Sequence, residues 1–532
     1  MRIESIEIRN FRGIQDLRLN IGGSSVVFVG ENGAGKSSLI AAIARALGKV
    51  HQTSRADFGD RAQPLEIILS LSGFTRDDGA VFPSEISFQG PPTLRIGFRA
   101  TWDAEEHETD GTCGFPDQGW RRASRAQRDA LAVVWLPGHR DPERLLDLAA
   151  ATGLWRRVLG GVEVDAAIGV ATADIQTALT DLVRVPDLES VLDNLSEDLR
   201  TFIPDVGQRA FSLAPNNRGR DLLREFRLTL AHGGSTQPIH QQSSGLMQLA
   251  VFAIGMEILK RQPRAILLCD EPEISLHPHA QRALIGRLRG LPNQSIIATH
   301  SSNVLDRADL RQIIRLQRNG AVIVGARATM LNDDEAERLA RFLNPVTAES
   351  CFARKVVFVE GPSDRIVVMR LAQRMGMDLD AFGISVLSLD GGCGIDTFLR
   401  LFGPPGLNLQ LYGLCDLDKE DVWCAALNAV GIRVAGRHDL NLAGFFVCDE
   451  DIEAEFVRAL TPAGVDAVLN VERLSVRFTK YSNQPNMTAV PLETRLRRFL
   501  HTQNTQLALP LVDALDLGAV PGVLNELIRR LA

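Results

Sequence analysis

The spacing of apolar and polar residues predicts an α/β protein. RIESIEIRNF (2–11) and LEIILSLSGF (65–74) alternate as strands with one buried face do, whereas SSLIAAIARALG (37–48) has helical spacing. GLMQLAVFAIGMEILKR (245–261) is also predicted to be a helix. The continuous apolar runs AILLCD (265–270) and SIIATH (295–300) are typical of parallel strands that are covered on both faces.

These patterns divide the chain into four segments. Residues 1–135 and 236–345 are predicted to be two parts of one α/β unit. Residues 136–235 have mostly helical periodicity, so we expect a compact helical arm that also serves in dimerisation. Residues 346–532 start a second α/β unit with KVVFVEGPSDR and end in a helical segment, and NPVTAESCFARK (344–355) resembles a linker between the units.

Composition narrows the class of protein. Hydrophobic residues make up 45% and charged residues 23% of the 532 positions, as in ordinary globular proteins. The start of the chain is charged where a signal peptide would be apolar, so we expect a cytoplasmic protein without a membrane segment. The net charge of −7 means that DNA binding would need a local basic patch. The seven cysteines lack CxxC spacing, which argues against zinc.

One local motif predicts an ATP site. Gly30–Ser37 reads GENGAGKS and matches GxxxxGK[ST] between an apolar strand and a helix. Lys36 is expected to reach the β- and γ-phosphates of ATP, and Ser37 to hold Mg²⁺. The remaining residues predicted to bind the nucleotide here are Asn32, Gly33, Gly35 and Ser38.

A pair of acidic residues is predicted to complete this site. Asp270 and Glu271 end the buried strand AILLCD. Asp270 is expected to bind Mg²⁺ through water and Glu271 to polarise the attacking water. The alternative is a solvent-exposed acidic strand end without a catalytic role. The P-loop elsewhere in the chain favours the catalytic interpretation.

Three segments together resemble the ABC-type ATPase heads of the SMC and RecF kind: IEIRNFRGI, CDEPEISLHP and ATHSS. The resemblance implies that His300 senses the γ-phosphate and that Ser275–Pro278 form the D-loop. It also places Ser244 and Gly245 in a signature motif that contacts ATP on a second subunit, although Leu246 departs from the family's second glycine. A homodimer, or a higher even-numbered homo-oligomer, is therefore expected.

A second set of carboxylates follows the apolar strands of residues 346–532. Glu360 and Asp364 lie around a strand-to-helix turn, Asp416 and Asp418 follow a second strand, and a third strand leads to residues 449–453. Two residues apart on a strand, Asp416 and Asp418 are expected to face the same side. Such oxygen ligands favour Mg²⁺ or Mn²⁺, and two such ions would suit phosphodiester cleavage.

The strand-end glutamate followed by DxD resembles a Toprim domain. An ABC-type head followed by Toprim is similar to the overcoming-lysogenization-defect (OLD) family nucleases, which include the nuclease subunit of Gabija-type phage defence. The resemblance implies five metal ligands, Glu360, Asp364, Asp416, Asp418 and Glu453, and a glycine motif at Ser388–Gly392.

The C-terminal helical segment departs from that family. A catalytic lysine is usual there, but this chain has Asn504 near the expected place. Lys480 is the candidate that could reach the site instead, and Arg497 or Arg498 are alternatives.

The sequence thus predicts an ATP-regulated, Mg²⁺- or Mn²⁺-dependent DNA endonuclease of bacterial anti-phage defence, with a possible helicase-like or effector partner protein. Two alternatives stay open. One is an ATPase sensor with a non-cleaving Toprim domain, which the missing lysine favours. The other is a RecF-like repair ATPase, which would not need the second acidic set.

Overall fold

The computed structural model describes the chain except for residues 51, 104–108, 148–152, 160–184, 203–209, 216–225, 233–234, 320–321, 328–330, 343–344, 390–393 and 504. It forms two compact units. The first comprises Met1–Ala308 and Gln312–Gly325, and the second comprises Asp309–Arg311 and Ala326–Ala532. The helix Asp333–Phe342, which the sequence grouped with the first α/β unit, therefore belongs to the second.

A largely antiparallel sheet opens the first unit. Alternation sets its faces: Leu65, Ile67, Leu69 and Leu71 are fully buried, while the residues between them are half-buried. The buried face packs against the helix Lys36–Ala46 in one core. Its strands, in spatial order, are Ile14–Asn20, Arg2–Phe11, Leu65–Ser72, Thr93–Trp102, Thr109–Phe115 and Arg121–Arg122, with Ile86–Ser87 paired to Thr93–Trp102.

The second sheet of this unit carries the P-loop. Four of its neighbouring pairs are parallel, and strands such as Ile266–Asp270 are buried at every position, as the continuous apolar runs predict. In spatial order the strands are Val322–Arg327, Ile313–Asn319, Ser25–Val29, Ser295–Ala298, Ile266–Asp270 and Val133–Leu136.

The predicted helical arm is only partly helical, and that prediction is wrong for the strands that begin at Ala210. Pro186–Phe202 is a helix and buries Leu188, Leu192 and Leu195. After it comes an antiparallel sheet of Ala210–Pro215, Phe226–His232 and Ser235–Pro238. The segment FRLTLAH alternates apolar and polar residues as a strand does, so the helical prediction overlooked a strand signal that the sequence carries. Residues 160–184 of the arm lie outside the described part.

The α-helices of the first unit include Lys36–Ala46, Arg125–Ala130, Pro142–Leu146, Trp155–Leu159, Pro186–Phe202, Ser244–Arg261, Pro278–Arg289 and Ser302–Leu305.

The second unit is built on a parallel four-stranded sheet. Its strand order is Ile384–Ser388, Lys355–Val359, Gln410–Cys415 and Phe445–Val447. The predicted linker is ordered instead, since Pro345–Glu349 is a helix and Ser350 and Cys351 are buried. Further helices of this unit include Asp333–Phe342, Pro362–Arg374, Ile395–Phe402, Glu420–Ala429, Arg437–Ala443, Ile452–Val471, Ser475–Ser482, Leu492–Gln503, Thr505–Ala514 and Gly522–Leu531. Within the described ranges, no helix combines the length and apolar character that spanning a bilayer requires.

Candidate functional site

The predicted ATP loop connects the strand Ser25–Val29 to the helix Lys36–Ala46. Gly30 and Gly35 adopt φ angles of 141° and 97°, a region that side chains disfavour. A Cβ at Gly30 would lie 2.4 Å from the carbonyl oxygen of Leu316. The glycines thus allow a backbone path that leads directly into the helix N-terminus, where amide groups can bind an anion. Asn32 and Gly33 are exposed at the tip of this loop, and Ser38 is half-buried.

Three predicted residues converge below the loop. The Lys36 Nζ donates to the carbonyls of Gly30 (2.7 Å) and Glu31 (2.9 Å). Burial lowers the pKa of Lys36 to about 8, against the attraction of Asp270 and nearby glutamates. The Ser37 hydroxyl donates to Asp270 Oδ1 at 3.2 Å. Lys36, Ser37 and Asp270 therefore lie where the motif requires phosphate and Mg²⁺ ligands.

The end of the strand Ile266–Asp270 presents two carboxylates in different settings. Burial raises the pKa of Asp270, and the hydrogen bond from Ser37 opposes that shift. Glu271 has a φ of 51°, and its N–H donates to the carbonyl of Ala298 on the next strand (2.8 Å). Both carboxylates lie near Gly138, since a Cβ there would be 3.0 Å from Asp270 Oδ2 and 3.6 Å from Glu271 Oε2.

The sequence did not predict the role of Arg140 at this strand end. The buried guanidinium donates to the carbonyls of Asp270 (2.9 Å) and Glu271 (3.2 Å) and to the side chain of Gln248. Arg140 thereby fixes the backbone that carries both carboxylates. The only sequence signal was a polar turn, PGHRDP, after an apolar strand.

Glu273 is a second residue that the sequence did not single out. Its carboxylate accepts from the Thr299 hydroxyl (2.8 Å) and from the N–H of His300 (2.6 Å). It thus fixes the backbone of His300. Loss of solvation lowers the pKa of the His300 imidazole, and the positive charge of Lys36 acts in the same direction. A neutral imidazole near Lys36 and Glu271 fits the predicted sensing role.

The predicted signature residues begin the helix Ser244–Arg261. Its N-cap Ser243 accepts from the N–H of Leu246 at 3.4 Å. A Cβ at Gly245 would lie 2.6 Å from the carbonyl oxygen of Ser275, so the helix start contacts the D-loop of the same chain. The contact of Ser244 and Gly245 with ATP on a second subunit stays a prediction.

In the second unit, three of the predicted ligands form an acidic cluster, defined here as Glu360, Asp416 and Asp418. One carboxylate oxygen of each lies within 4.8 Å of the others. Glu360 and Asp416 directly follow the paired parallel strands Lys355–Val359 and Gln410–Cys415. The reason given for Asp418 was wrong, because Leu417–Lys419 is a 3₁₀ turn and not a strand. The turn, rather than strand alternation, brings Asp418 to Asp416.

Charge in this cluster is strongly unbalanced. Glu360 Oε1 accepts from the N–H of Asp416 at 2.7 Å. Burial, followed by the charges of Glu360, Asp364, Asp451 and Glu453, raises the pKa of Asp416 to about 8. Burial also raises the pKa of Glu360, while the hydrogen bond from Asp416 and the charge on Lys419 oppose that shift. A divalent cation would favour the ionised forms, and the all-oxygen donor set fits Mg²⁺ or Mn²⁺.

The other two predicted ligands lie close to the cluster but outside it. Asp364 Oδ2 accepts from the N–H of Gly361 (2.9 Å) at the start of the helix Pro362–Arg374. Glu453 lies in the first turn of Ile452–Val471, with His501 Nδ1 3.6 Å from its Oε1. Both perturb Asp416 electrostatically. The glycine motif Ser388–Gly392 falls mostly outside the described residues, as does Asn504.

Among the described residues, the cation that pairs with the cluster is Lys419. Lys419 Nζ lies 2.5 Å from Asp418 Oδ2. Lys480 is exposed at the end of Ser475–Ser482, and no ion pair links it to a described acidic residue. Arg497 binds Asp451 (2.6 Å) and Glu450 instead of the cluster itself. Lys419 could have been found from its position directly after Asp418 in DLDK.

Comparison with known proteins gives matches in both units. An AAA ATPase domain matches residues 1–76 and 173–305, and an overcoming lysogenization defect protein-like Toprim domain matches residues 351–418. The chain is 23% identical to OLD nuclease from Thermus scotoductus, with 79% of this chain and 82% of that protein covered. It is 22% identical to endonuclease GajA from Bacillus cereus, with 74% and 71% covered.

One solved structure, the C-terminal region of the Burkholderia pseudomallei OLD protein, is 25% identical, with 34% of this chain and 97% of that chain covered at a TM-score of 0.27. The domain matches confirm the predicted fold class, an ABC-type ATPase head followed by a Toprim domain. Together with the two relatives, they support the predicted resemblance to OLD-family nucleases. The chain is an enzyme that joins an AAA ATPase domain to an overcoming lysogenization defect protein-like Toprim domain, and it is similar over most of its length to OLD nuclease and GajA.

Proposed function

We propose that this enzyme cuts DNA with divalent metal ions held at the acidic cluster. The observation that carries the proposal is the convergence of Glu360, Asp416 and Asp418 at neighbouring strand ends of the Toprim unit. The names of the two relatives, a nuclease and an endonuclease, support a phosphodiester substrate. The high pKa of Asp416 supports a cation as the missing partner of the cluster.

Mg²⁺ or Mn²⁺ would supply a Lewis acid and an activated water when bound. Glu360, Asp416 and Asp418 would hold the ion directly. Asp364 and Glu453 are near enough to perturb Asp416 and would complete the ligand set. Lys419 provides a positive charge beside Asp418, where the negative charge of a DNA phosphate needs compensation.

ATP is proposed to control this cleavage from the head. Lys36, Ser37 and Asp270 would hold Mg²⁺–ATP, Glu271 would polarise the attacking water, and His300 would respond to the γ-phosphate. The signature residues Ser244 and Gly245 would act on ATP bound by a second copy, which requires a homodimer or a higher even-numbered assembly. Nucleotide state would then shift the populations of cleaving and non-cleaving forms.

The proposed biological role is bacterial anti-phage defence. It is supported by the resemblance to OLD-family nucleases. A helicase-like or effector protein belongs to the same proposal as a partner.

A plasmid assay tests the central proposal. Purified protein is incubated with supercoiled plasmid and Mg²⁺ or Mn²⁺, with and without ATP, beside a Glu360→Gln, Asp416→Asn double variant. We expect nicking or linearisation by the wild type alone, and none in EDTA. The ATPase rate of the double variant should match that of the wild type, which shows that the substitutions spare the head.

The exposed position of Lys480 favours one second candidate, an ATPase sensor whose Toprim domain does not cleave. No cleavage in any lane, with ATP hydrolysis intact, would reject the stand-alone nuclease and support the sensor. A search for an effector protein bound to the purified chain would then follow.

A further inference from the structure

A cavity of about 460 Å³ lies in the first unit beside the edge strand Val133–Leu136. Val133, Trp135, Leu145 and Leu154 form its apolar wall. Its lining, over the described residues, includes none of the P-loop positions 30–37, so it is separate from the ATP site. The volume falls in the range that small-molecule ligands occupy in proteins.

The polar part of the lining is almost entirely basic. The basic side chains are Lys49, His139, Arg140, Arg144 and Arg157. The single carboxylate, Asp141, caps the helix Pro142–Leu146 and accepts from the N–H of Glu143 at 3.0 Å. The cavity therefore carries an excess of positive charge that its own acidic residue does not balance.

Two of these cations are half-buried and have no direct ion pair in the described part of the chain. Arg157 donates to the carbonyl of Val133 and to Gln262 Oε1 (3.3 Å), and loss of solvation lowers the pKa of its guanidinium. Lys49 donates to the carbonyl of Arg128 at 3.1 Å. Its pKa falls to about 8, first through loss of solvation and then through the charge of Arg157. Partly desolvated cations without counter-ions are unfavourable, and a bound anion would relieve this.

An unused hydrogen-bond donor lies in the same wall. The indole N–H of Trp135 is buried and has no partner within the described residues. Buried donors are nearly always paired in folded proteins. The indole ring of Trp135 lines the cavity, and it is the cations around it that favour an acceptor-rich ligand.

We propose that the cavity binds a small phosphorylated molecule with a flat apolar body, in addition to ATP at the P-loop. Arg144, Arg157 and Lys49 would contact the phosphate, since guanidinium groups match phosphate oxygens in pairs. Trp135 and its apolar neighbours would contact the flat body.

Arg140 connects this cavity to the ATP site. It lines the cavity and also donates to the carbonyls of Asp270 (2.9 Å) and Glu271 (3.2 Å). A ligand that attracts Arg140 changes the support of the strand end that carries both carboxylates. The ligand and ATP therefore affect each other's affinity, and the effect is reciprocal.

Calorimetric titration of the full chain tests the proposal, with binding of AMP at the P-loop prevented in two ways. One sample is Lys36→Ala, and the other is wild type saturated with a non-hydrolysable ATP analogue. We expect AMP to bind at one site per chain in both samples, inorganic phosphate at least ~10-fold more weakly, and adenosine not measurably. If inorganic phosphate binds as tightly as AMP, the proposed contact between the apolar wall and the flat body of the ligand is overturned.

Variants then locate the bound AMP. Arg157→Gln and Arg144→Gln should each lower the affinity for AMP by about 10-fold, because each removes one charged contact with the phosphate. Arg144 is exposed, so its replacement stays informative even if the Arg157 variant folds poorly. Arg18→Gln, at a 65% exposed strand position, is the matched control and should change nothing. The proposal is overturned if AMP does not bind in either silenced sample, or if both cavity variants bind it as the wild type does.

Discussion

The ATP site and the acidic cluster occupy the same kind of position in their sheets but differ in how their charges are balanced. Each lies where adjacent parallel strands end. In the head, Lys36 faces the carboxylate set, Ser37 donates to Asp270, and Arg140 holds the strand end. In the second unit, Asp416 faces four other carboxylates.

This difference teaches how each site depends on its ligand. The head organises its residues through hydrogen bonds that exist before ATP arrives, which lowers the cost of binding. The acidic cluster concentrates like charge, so a bound cation would favour the ionised forms of Glu360 and Asp416. The protein's own hydrogen bonds organise the first site, whereas under our proposal a metal ion completes the second.

The largest expected effects come from inactivating each site separately. Lys36→Ala should lower ATP hydrolysis by roughly 100-fold or more, because it removes a charge that stabilises the phosphoryl group in the transition state. Asp416→Asn should lower plasmid cleavage by a similar order, about 100-fold, because it removes a metal ligand. Steady-state ATPase and plasmid assays measure both.

The control for these two variants is to measure in each one the activity of the other site. Asp416→Asn should keep the ATPase rate within about twofold of wild type, as expected for independent sites. In the absence of ATP, Lys36→Ala should cleave plasmid at the same rate as the wild type. A large crossed effect would show that the sites are not separately organised.

The next effect concerns Lys419, the cation that pairs with the acidic cluster in the described part of the chain. Lys419→Gln should lower the cleavage rate about 10-fold, because it removes the charge nearest to Asp418. Lys480→Gln, a matched change at an exposed lysine, should stay within about twofold, as exposed substitutions usually do. If Lys480→Gln abolishes cleavage and Lys419→Gln does not, the role that the sequence assigned to Lys480 is correct.

A smaller effect tests the preorganisation of the head. Gly245→Ala should destabilise the first unit by about 1–3 kcal/mol, because the new Cβ would meet the Ser275 carbonyl at 2.6 Å. Gly286→Ala, inside the helix Pro278–Arg289, has nothing within 4 Å of the new Cβ. It should stabilise by up to about 1 kcal/mol through helix propensity. Equal urea midpoints for the two variants would contradict the close packing of the helix start.

The last effect is the pH dependence of the stability of the metal-free second unit. Folding raises the pKa of Asp416 from 3.8 to about 8, so between these values the folded state binds more protons than the unfolded state. This contribution to stability is present at low pH and is lost as pH rises through about 8. The melting temperature in EDTA should therefore fall over this interval, and Mg²⁺ should reverse the fall. In EDTA, the melting temperature of Asp416→Asn should depend less on pH than that of the wild type. If both melting temperatures depend equally weakly on pH, the raised pKa of Asp416 is contradicted.

The sequence by itself determined the parts of both sites that depend on neighbouring residues. The P-loop was predictable because its glycines and the helix start that follows occupy one short segment. Glu360 and Asp416 were predictable because apolar runs locate strand ends, and parallel strand ends meet at one edge.

Only the tertiary structure decided contacts between distant segments. Arg140 reaches Asp270 across 130 positions, and Gly245 meets Ser275 through helix packing, which no local pattern encodes. Asp418 joins Asp416 through a 3₁₀ turn, and Ala210–Pro215 becomes a strand by pairing with Phe226–His232. The physical reason is the same in each case: local patterns set the backbone preference of a segment, whereas pairing and packing with remote residues select the contact that forms.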